Sequence, residues 1–394
     1  MAQGGLGQIA RRLSLYYAAG FLVVGIKSPF WPVWLAGRGL DAREIAAVFA
    51  AAIWIGVALS PAAGALADRL GRRRALMIAL AGGALVLYAG LWRASGFWTV
   101  LGLTAAAAGA QSALMPLGDS LTLSAVRERG VDYGRVRVWG SVSFIGAAIA
   151  SGLLLSGTAL GAPGGNTVLV LVIGASALLF AACLALPAGP GDGAGPARRP
   201  ALAALARNGR FWRFVATAAA LQASHQLYYG FGTLYWRSLG FSDATIGVLW
   251  AEGVVAEIVL FWQGGRLLAR LGPLGLMAAG GVAGVVRWSL MALAPGLLPS
   301  LALQTLHALT FGATHLGVMN FLSRSVPPGA SASAQALYAG ASSGIGSGLV
   351  MVAAGALYAD YGGRAYLFMA ALSALGLAST ALFARSAGQR PHFG

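Results

Sequence analysis

Apolar residues in this chain come in runs of about twenty, separated by short clusters of glycine, proline and charge. Runs near 13–36, 44–67, 75–93, 98–125, 136–156 and 167–186 form a first set. Runs near 211–236, 244–265, 274–294, 299–323, 333–358 and 365–384 form a second. About 20 helical residues cross a hydrocarbon core of about 30 Å, so each run is long enough to span a bilayer. The runs are continuous, whereas a barrel strand would alternate apolar and polar residues over about ten positions. The pattern predicts an all-α integral membrane protein of twelve transmembrane helices, with an N-terminal six-helix bundle at 1–186 and a C-terminal one at 211–394. Residues 187–210 read as the linker between them, because Pro187 to Pro200 is too rich in Gly and Pro to continue a helix.

The two sets are related by repetition. The run Gly64-Ala65-Leu66-Ala67-Asp68-Arg69-Leu70-Gly71-Arg72-Arg73-Arg74 returns in weaker form as Gly265-Arg266-Leu267-Leu268-Ala269-Arg270-Leu271-Gly272. The offset of 201 positions also pairs Gly39 with Gly240, Ile45 with Ile246 and Leu59 with Leu260. A half-chain of several helices has been duplicated, and a duplicated multi-span protein points to a carrier.

Composition agrees with the pattern. With 58% hydrophobic and 10% charged residues, the chain is too apolar for a soluble globule of 394 residues. Its net charge of +16 is explained by topology, since Arg accumulates in short cytoplasmic loops. Arg11, Arg12, Arg69, Arg72, Arg73, Arg74, Arg127, Arg129, Arg135 and Arg137 fall on one side, as do Arg198, Arg199, Arg207, Arg210, Arg213, Arg266, Arg270, Arg324, Arg385 and Arg390. The other side collects Arg38, Arg43, Arg93, Arg237 and Arg364. Both termini are therefore expected in the cytoplasm, and no nucleic-acid partner is needed to account for the charge. The single Cys183 excludes a disulfide framework. The first run lacks a small-residue cleavage site and reads as a retained span. No His-rich metal cluster, paired acidic motif or Gly-rich nucleotide loop stands in the sequence, so neither an enzyme nor a metal or cofactor is expected.

The loop Gly64-x-x-x-Asp68-Arg69-x-Gly71-Arg72-Arg73-Arg74 resembles the signature loop of the major facilitator superfamily, and its echo falls where that fold has its second copy. The resemblance implies two bundles related by pseudo-two-fold symmetry, a monomer, and gating roles for Gly64, Asp68, Arg69, Gly71 and Arg72. Ala269 replaces the Asp in the second copy, which weakens a latch there. Further segments resemble the phenylpropionate permease branch, related to lactose permease and the nucleoside proton symporters. They are Pro29-Phe30-Trp31-x-Val33-Trp34-Leu35, Pro116-Leu117-x-Asp119, Asp132-Tyr133-Gly134-Arg135-Val136-Arg137-Val138-Trp139-Gly140-Ser141, Leu249-Trp250-x-x-Gly253-Val254-Val255-Ala256-Glu257, Val285-Val286-Arg287-Trp288 and Leu303-Gln304-x-Leu306-His307.

Function is expected where charge lies at membrane depth, because each such side chain costs about 2.5–3.5 kcal/mol on insertion scales. The candidates are Lys27, Asp119, Arg137, Glu252, Glu257 and Arg287, with His225, His307 and His315. If the fourth and fifth helices turn near Glu128, Asp119 and Arg137 reach one depth and can pair. By resemblance to lactose permease the pair would bind substrate; otherwise it locks two helices. Turns near Gly272 and Leu297 bring Glu257, Arg287 and His307 to one level. That grouping suits a proton carrier (Glu257), its counter-ion (Arg287) and a link to substrate (His307). Lactose permease has a Glu three residues after this His, where Thr310 stands here. Glu252 is the reserve carrier, but at five residues' distance it points about 140° away from Glu257.

Lys27 is the only lysine. It reads as a contact for an anionic substrate, a partner of Asp119, or a snorkelling ammonium. Gln222, His225, Gln226, Tyr228 and Tyr229, with Phe30, Trp31 and Trp34, suit a planar, partly apolar ligand, although Trp31 and Trp34 also fit an interfacial belt. Gly340, Gly344, Gly346 and Gly348 suit close packing or bending. The expected protein imports a small organic acid, aromatic ones included, with protons across a bacterial inner membrane by alternating access. It contacts lipid, substrate and protons and draws on the proton gradient rather than a cofactor. A sugar or nucleoside symporter and a drug or metabolite exporter are the rival readings.

Overall fold

The structure is a computed structural model that describes residues 2–156, 165–187, 205–326 and 331–387, and no strand occurs among them. Lipid offers no partner to a backbone N–H or C=O, so long apolar segments close their hydrogen bonds within themselves as helices. Seven helices make up the first part of the chain: α1 (Ala2–Gly37), α2 (Ala42–Leu70), α3 (Arg73–Gly90), α4 (Phe97–Ser112), α5 (Leu114–Arg129), α6 (Tyr133–Ser156) and α7 (Thr167–Ala185). The second part holds α8 (Gly209–Ala223), α9 (Gln226–Ser238), α10 (Asp243–Trp262), α11 (Gly264–Met291), α12 (Leu297–Thr305), α13 (Thr314–Ser325), α14 (Ser331–Tyr338), α15 (Ser347–Tyr361) and α16 (Tyr366–Ala387).

Among the described residues, nine helical stretches are long and apolar enough to cross a membrane. They reconcile with the twelve expected runs. The 53-residue stretch Ala334–Ser386 would measure about 80 Å as one helix, enough for two crossings; Gly362–Ala365 divides it. Residues 209–238 and 297–325 are apolar but interrupted, the first at Ser224-His225 and the second by a π-helical turn, Ala308–Ala313. A second π-helical turn, Ala339–Gly346, lies on the glycines singled out in the sequence. A π turn leaves carbonyls without helical partners and recurs at functional sites.

Contacts divide the helices into two compact units: the N-terminal helices together with Phe241–Ala251, and the helices from α8 onward without that segment. The expected linker at 187–210 lies mostly outside the described residues. On its far side α8 begins behind Asn208, whose side chain accepts from the N–H groups of Arg210 and Phe211, both at 3.0 Å. In the first unit α1 packs on α6 and α7, and α3 on α4 and α7. In the second, α9 packs on α15, α8 on α16, and α11 on α13 and α16. Each set repeats the other's pairing one half-chain later.

The 201-residue offset is visible in the backbone as well. Gly39 and Gly240 both have φ of +83°, and Gly71 and Gly272 have +60° and +67°, values that glycine adopts without strain. Asp41 caps α2 by accepting from Glu44 N–H at 2.8 Å, and Glu44 returns a bond from Asp41 N–H at 3.0 Å. Ser242, 201 positions on, accepts from Thr245 N–H at 3.2 Å at the start of α10. The copies then differ. Gly71 closes α2 as a left-handed cap bonding Ala67, whereas Gly272 has ψ of 173° and Pro273 begins the next helical stretch at once.

Small residues let the helices approach. A Cβ on Gly25 of α1 would stand 2.7 Å from the Phe144 carbonyl oxygen of α6, and one on Gly317 of α13 would stand 2.4 Å from the Pro273 carbonyl. Gly83 of α3 has nothing within 4 Å of such an atom. Gly25→Ala should therefore cost about 1–3 kcal/mol by forcing α1 from α6. Thermal unfolding in detergent checks this, with Gly83→Ala expected to melt at or above the parent temperature.

Candidate functional site

In the N-terminal unit the polar groups cluster on α1. Lys27 donates to the Tyr88 hydroxyl and, at 3.3 Å, to Gln111 Oε1. Tyr88 also donates to Gln111 Oε1 at 2.8 Å. The ammonium lies 4.9 Å from the centre of the Tyr88 ring and 5.9 Å from that of Trp31, both within cation–π range. Trp31 is buried and stacks on Trp34 at 4.7 Å. Lys27 does not pair with Asp119: among the described residues its hydrogen-bond partners are neutral oxygens.

The expected Asp119–Arg137 pair also does not form. Asp119 accepts from the hydroxyls of Tyr17 and, at 3.2 Å, Tyr133. Arg137 instead lies over aromatic rings of α1, 4.1 Å from the centre of Phe21 and 5.5 Å from that of Tyr17. Counting residues from a hairpin turn fixes the height of a side chain in the bilayer and leaves its direction around the helix open. On neighbouring turns of α1, Tyr17 donates to the carboxylate through its hydroxyl while its ring and that of Phe21 meet the guanidinium.

The C-terminal unit is built around Arg287 of α11, which is 0% exposed. Its guanidinium donates to His307 Nδ1 at 3.1 Å, to Thr310 Oγ1 at 3.1 Å, and to Gln304 Oε1. Gln304 in turn donates from Nε2 to the Tyr228 hydroxyl at 3.1 Å, and because Arg287 can only donate, its bond to Oε1 fixes the amide orientation. The rings of Tyr228 and Trp288 cover the cation at 4.9 and 4.5 Å. Arginine has no lone pair to offer, so His307 Nδ1 must be unprotonated to accept from it.

The same reasoning fixes His225. Its Nδ1 lies 3.1 Å from the Gln222 carbonyl, which can only accept, so Nδ1 carries the proton. In the neutral ring Nε2, 3.0 Å from Thr310 Oγ1, accepts the Thr310 hydroxyl proton. The competing acceptor for that proton, the His307 carbonyl, is 3.4 Å away. A directed chain results: Arg287 donates to Thr310, Thr310 to His225, and His225 to the backbone of α8. With His307 accepting from Arg287 beside this chain, neither histidine needs a second ring proton.

Of the three groups expected at one level, Arg287 and His307 meet, while the acceptors that Arg287 bonds are His307, Thr310 and Gln304 rather than Glu257. Glu257 lies on α10 beside Gly312, where a Cβ would come within 3.5 Å of its Cγ. Gly253 packs the same helix against the His307 ring, with a Cβ there 3.5 Å from it. Two polar atoms here are buried without a hydrogen-bond partner among the described residues, Arg287 Nε and Glu252 Oε2. His307, Phe311 and His315 stack in a column at 5.4 and 6.0 Å, so His315 serves packing.

The signature loop is closed locally. Asp68 pairs with Arg73 at 2.7 Å, and Arg74 donates to the Leu184 carbonyl at 2.5 Å in the last turn of α7. Asp68, Arg69, Gly71 and Arg72 are exposed, and the space around Gly64 is open.

Sequence reasoning had given no role to Tyr17, Tyr88, Gln111 or Tyr133, because single hydroxyls and amides scattered through apolar runs carry no pattern. Gln304 and Thr310 had a signal. They sit three residues either side of His307, on neighbouring turns of one helical face.

The sequence profile of the MFS_1 like family matches residues 10–370. The chain is 32% identical over 379 residues to the probable 3-phenylpropionic acid transporter of Escherichia coli (strain K12), covering 93% of this chain and 96% of that one. It is 27% identical over 401 residues to maltose permease of Geobacillus stearothermophilus, covering 97% and 98% respectively. A mutant of the nucleoside transporter NupG has a similar fold, with a TM-score of 0.87 at 17% identity over 95% of this chain and 99% of that one. At that identity the likeness speaks to the fold. The chain thus belongs to the MFS_1 like family of the major facilitator superfamily and is a multi-pass membrane protein that works as a secondary transporter.

Proposed function

We propose that this carrier takes up a small organic acid with an apolar, aromatic body, together with protons, by alternating access across a bacterial inner membrane. Both termini face the cytoplasm and the monomer is the working unit. One observation carries the reading: each unit holds a membrane-depth cation, Lys27 in one and Arg287 in the other, whose hydrogen-bond partners are all neutral. Neutral acceptors orient a cation and leave its charge in place, so a carboxylate is the ligand that complements it. The rings beside both cations suit an aromatic body. The similarity to a phenylpropionic acid transporter supports the same substrate class.

In this reading Lys27, Arg137, His225 and His307 contact substrate and Asp119 orients it through Tyr17 and Tyr133. Glu257 carries the proton, with Glu252 in reserve, and the proton gradient drives uptake. His307 Nδ1 is the coupling atom, since a proton bound there displaces Arg287 and frees the guanidinium for a carboxylate. Gly64, Asp68, Arg69, Gly71 and Arg72 form the gate, a reading supported by the charge-assisted bond that Asp68 makes with Arg73. Similarity to maltose permease favours the second reading, a sugar symporter; its hydroxyls would meet the amides of Gln111 and Gln304.

Proteoliposomes with an imposed pH gradient separate the two. Labelled 3-phenylpropionate should accumulate where maltose and nucleosides do not, and accumulation of maltose alone would sink the organic-acid reading. Lys27→Ala should lower uptake about 10–100-fold, the worth of one charge-assisted contact. For Glu257→Gln the expectation is loss of gradient-driven accumulation with substrate exchange kept; full accumulation removes Glu257 from proton transfer. Thr310→Val cuts the chain between Arg287 and His225, and should displace the pH profile of uptake while leaving the protein folded, as read from its melting temperature.

A further inference from the structure

The second copy of the signature loop lines a groove of about 510 Å³ in the C-terminal unit. Its floor is apolar, with Ala256 and Leu260 of α10, Leu267 of α11 and Ala308, and one end carries Arg266 and Arg270. These arginines stand four residues apart on one face of α11 and are both exposed. Arg266 donates to Gln263 at 3.3 Å, a neutral partner.

The first copy shows what is missing. There Asp68 holds Arg73 at 2.7 Å; the equivalent of Asp68 is Ala269. At the 201-residue offset Arg69 corresponds to Arg270, Arg73 to Leu274 and Ala65 to Arg266, so the second copy pairs a retained arginine with a new one and holds no acid beside them. Two like charges at helical neighbour spacing repel unless an anion lies between them.

We propose that the groove binds one anionic phospholipid, with its phosphate between Arg266 and Arg270 and one acyl chain along the apolar floor. The dimensions fit. From Ala256 to Arg270 is fourteen residues, about 21 Å at the rise of a helix, with Gln263 joining α10 to α11. One leaflet, from the midplane of a core about 30 Å thick to its headgroups, is about 20–22 Å deep. A free phosphate would satisfy the arginines and leave the floor without an occupant, whereas a lipid covers both. The lipid phosphate supplies an anion to Arg266 and Arg270, beside which Ala269 stands where the first copy has Asp68.

Native mass spectrometry of the purified full chain titrated with phosphatidylglycerol or phosphatidylcholine tests this. The wild type should retain one phosphatidylglycerol about tenfold more strongly than phosphatidylcholine, two arginines each contributing at an anionic headgroup. The double variant Arg266→Gln/Arg270→Gln should bring the two lipids level, as should Ala269→Asp, which restores the internal acid. Thr305→Trp, at an exposed position on the groove wall, should weaken retention of both lipids. Melting temperatures show that these surface variants stay folded. Equal retention of the two lipids by wild type, or undiminished phosphatidylglycerol binding by the double variant, overturns the proposal. So does displacement of the lipid by an equal concentration of glycerol 3-phosphate or 3-phenylpropionate, which would make the site one for a soluble anion.

Discussion

A full positive charge buried away from water has to be solvated by the protein itself, and much of the C-terminal unit is arranged to do this for Arg287. Insertion of such a group costs about 2.5–3.5 kcal/mol on cellular scales, and each charge-assisted hydrogen bond returns about 1.5–3 kcal/mol. Three acceptors and two covering rings can hold it without a carboxylate. The acceptors come from Gln304, His307 and Thr310, one face of the interrupted tenth span. Their own protons are passed on to Tyr228, His225 and the backbone of α8. Losing any one of these leaves a neighbour unpaired, so the group behaves as a unit.

The N-terminal unit handles its charges differently. Lys27 is held by Tyr88 and Gln111, Asp119 by two tyrosine hydroxyls, and Arg137 by the faces of two rings. Opposite charges lie within a few turns of each other and are kept apart by tyrosine. A direct Asp119–Arg137 bridge would cancel both charges, whereas the observed arrangement leaves both available to a ligand. Duplication thus produced two copies of one scaffold with separate solutions to burying charge.

The scaffold was legible in the sequence because its causes are local. Runs of twenty apolar residues, paired glycines at Gly39 and Gly240 and at Gly71 and Gly272, and caps at Asp41 and Ser242 each express a requirement of lipid or of backbone geometry. The meeting of Arg287 with His307 was legible too, since position along antiparallel helices fixes depth. Direction around the helix was not. Asp119 turns to the hydroxyls of Tyr17 and Tyr133 while Arg137 lies over the rings of Phe21 and Tyr17, and Arg287 takes its acceptors from the tenth span. The interruptions at His225 and Ala308–Ala313 escaped as well, because nothing in their composition departs from ordinary apolar helix.

The π turn at Ala308–Ala313 bears on how this unit can move. It holds one residue more than an α-helical turn, and each residue turns the chain by about 100° while lengthening it by only about 1.5 Å. Were that extra residue drawn back into α-helix, everything beyond it would swivel by roughly that angle relative to His307, with almost no sliding along the axis. The Phe311 and His315 rings would leave their column on His307, yet the helix ends would hardly shift. The tenth span is in this sense a spindle: torsion, rather than travel, is the motion its backbone makes cheap.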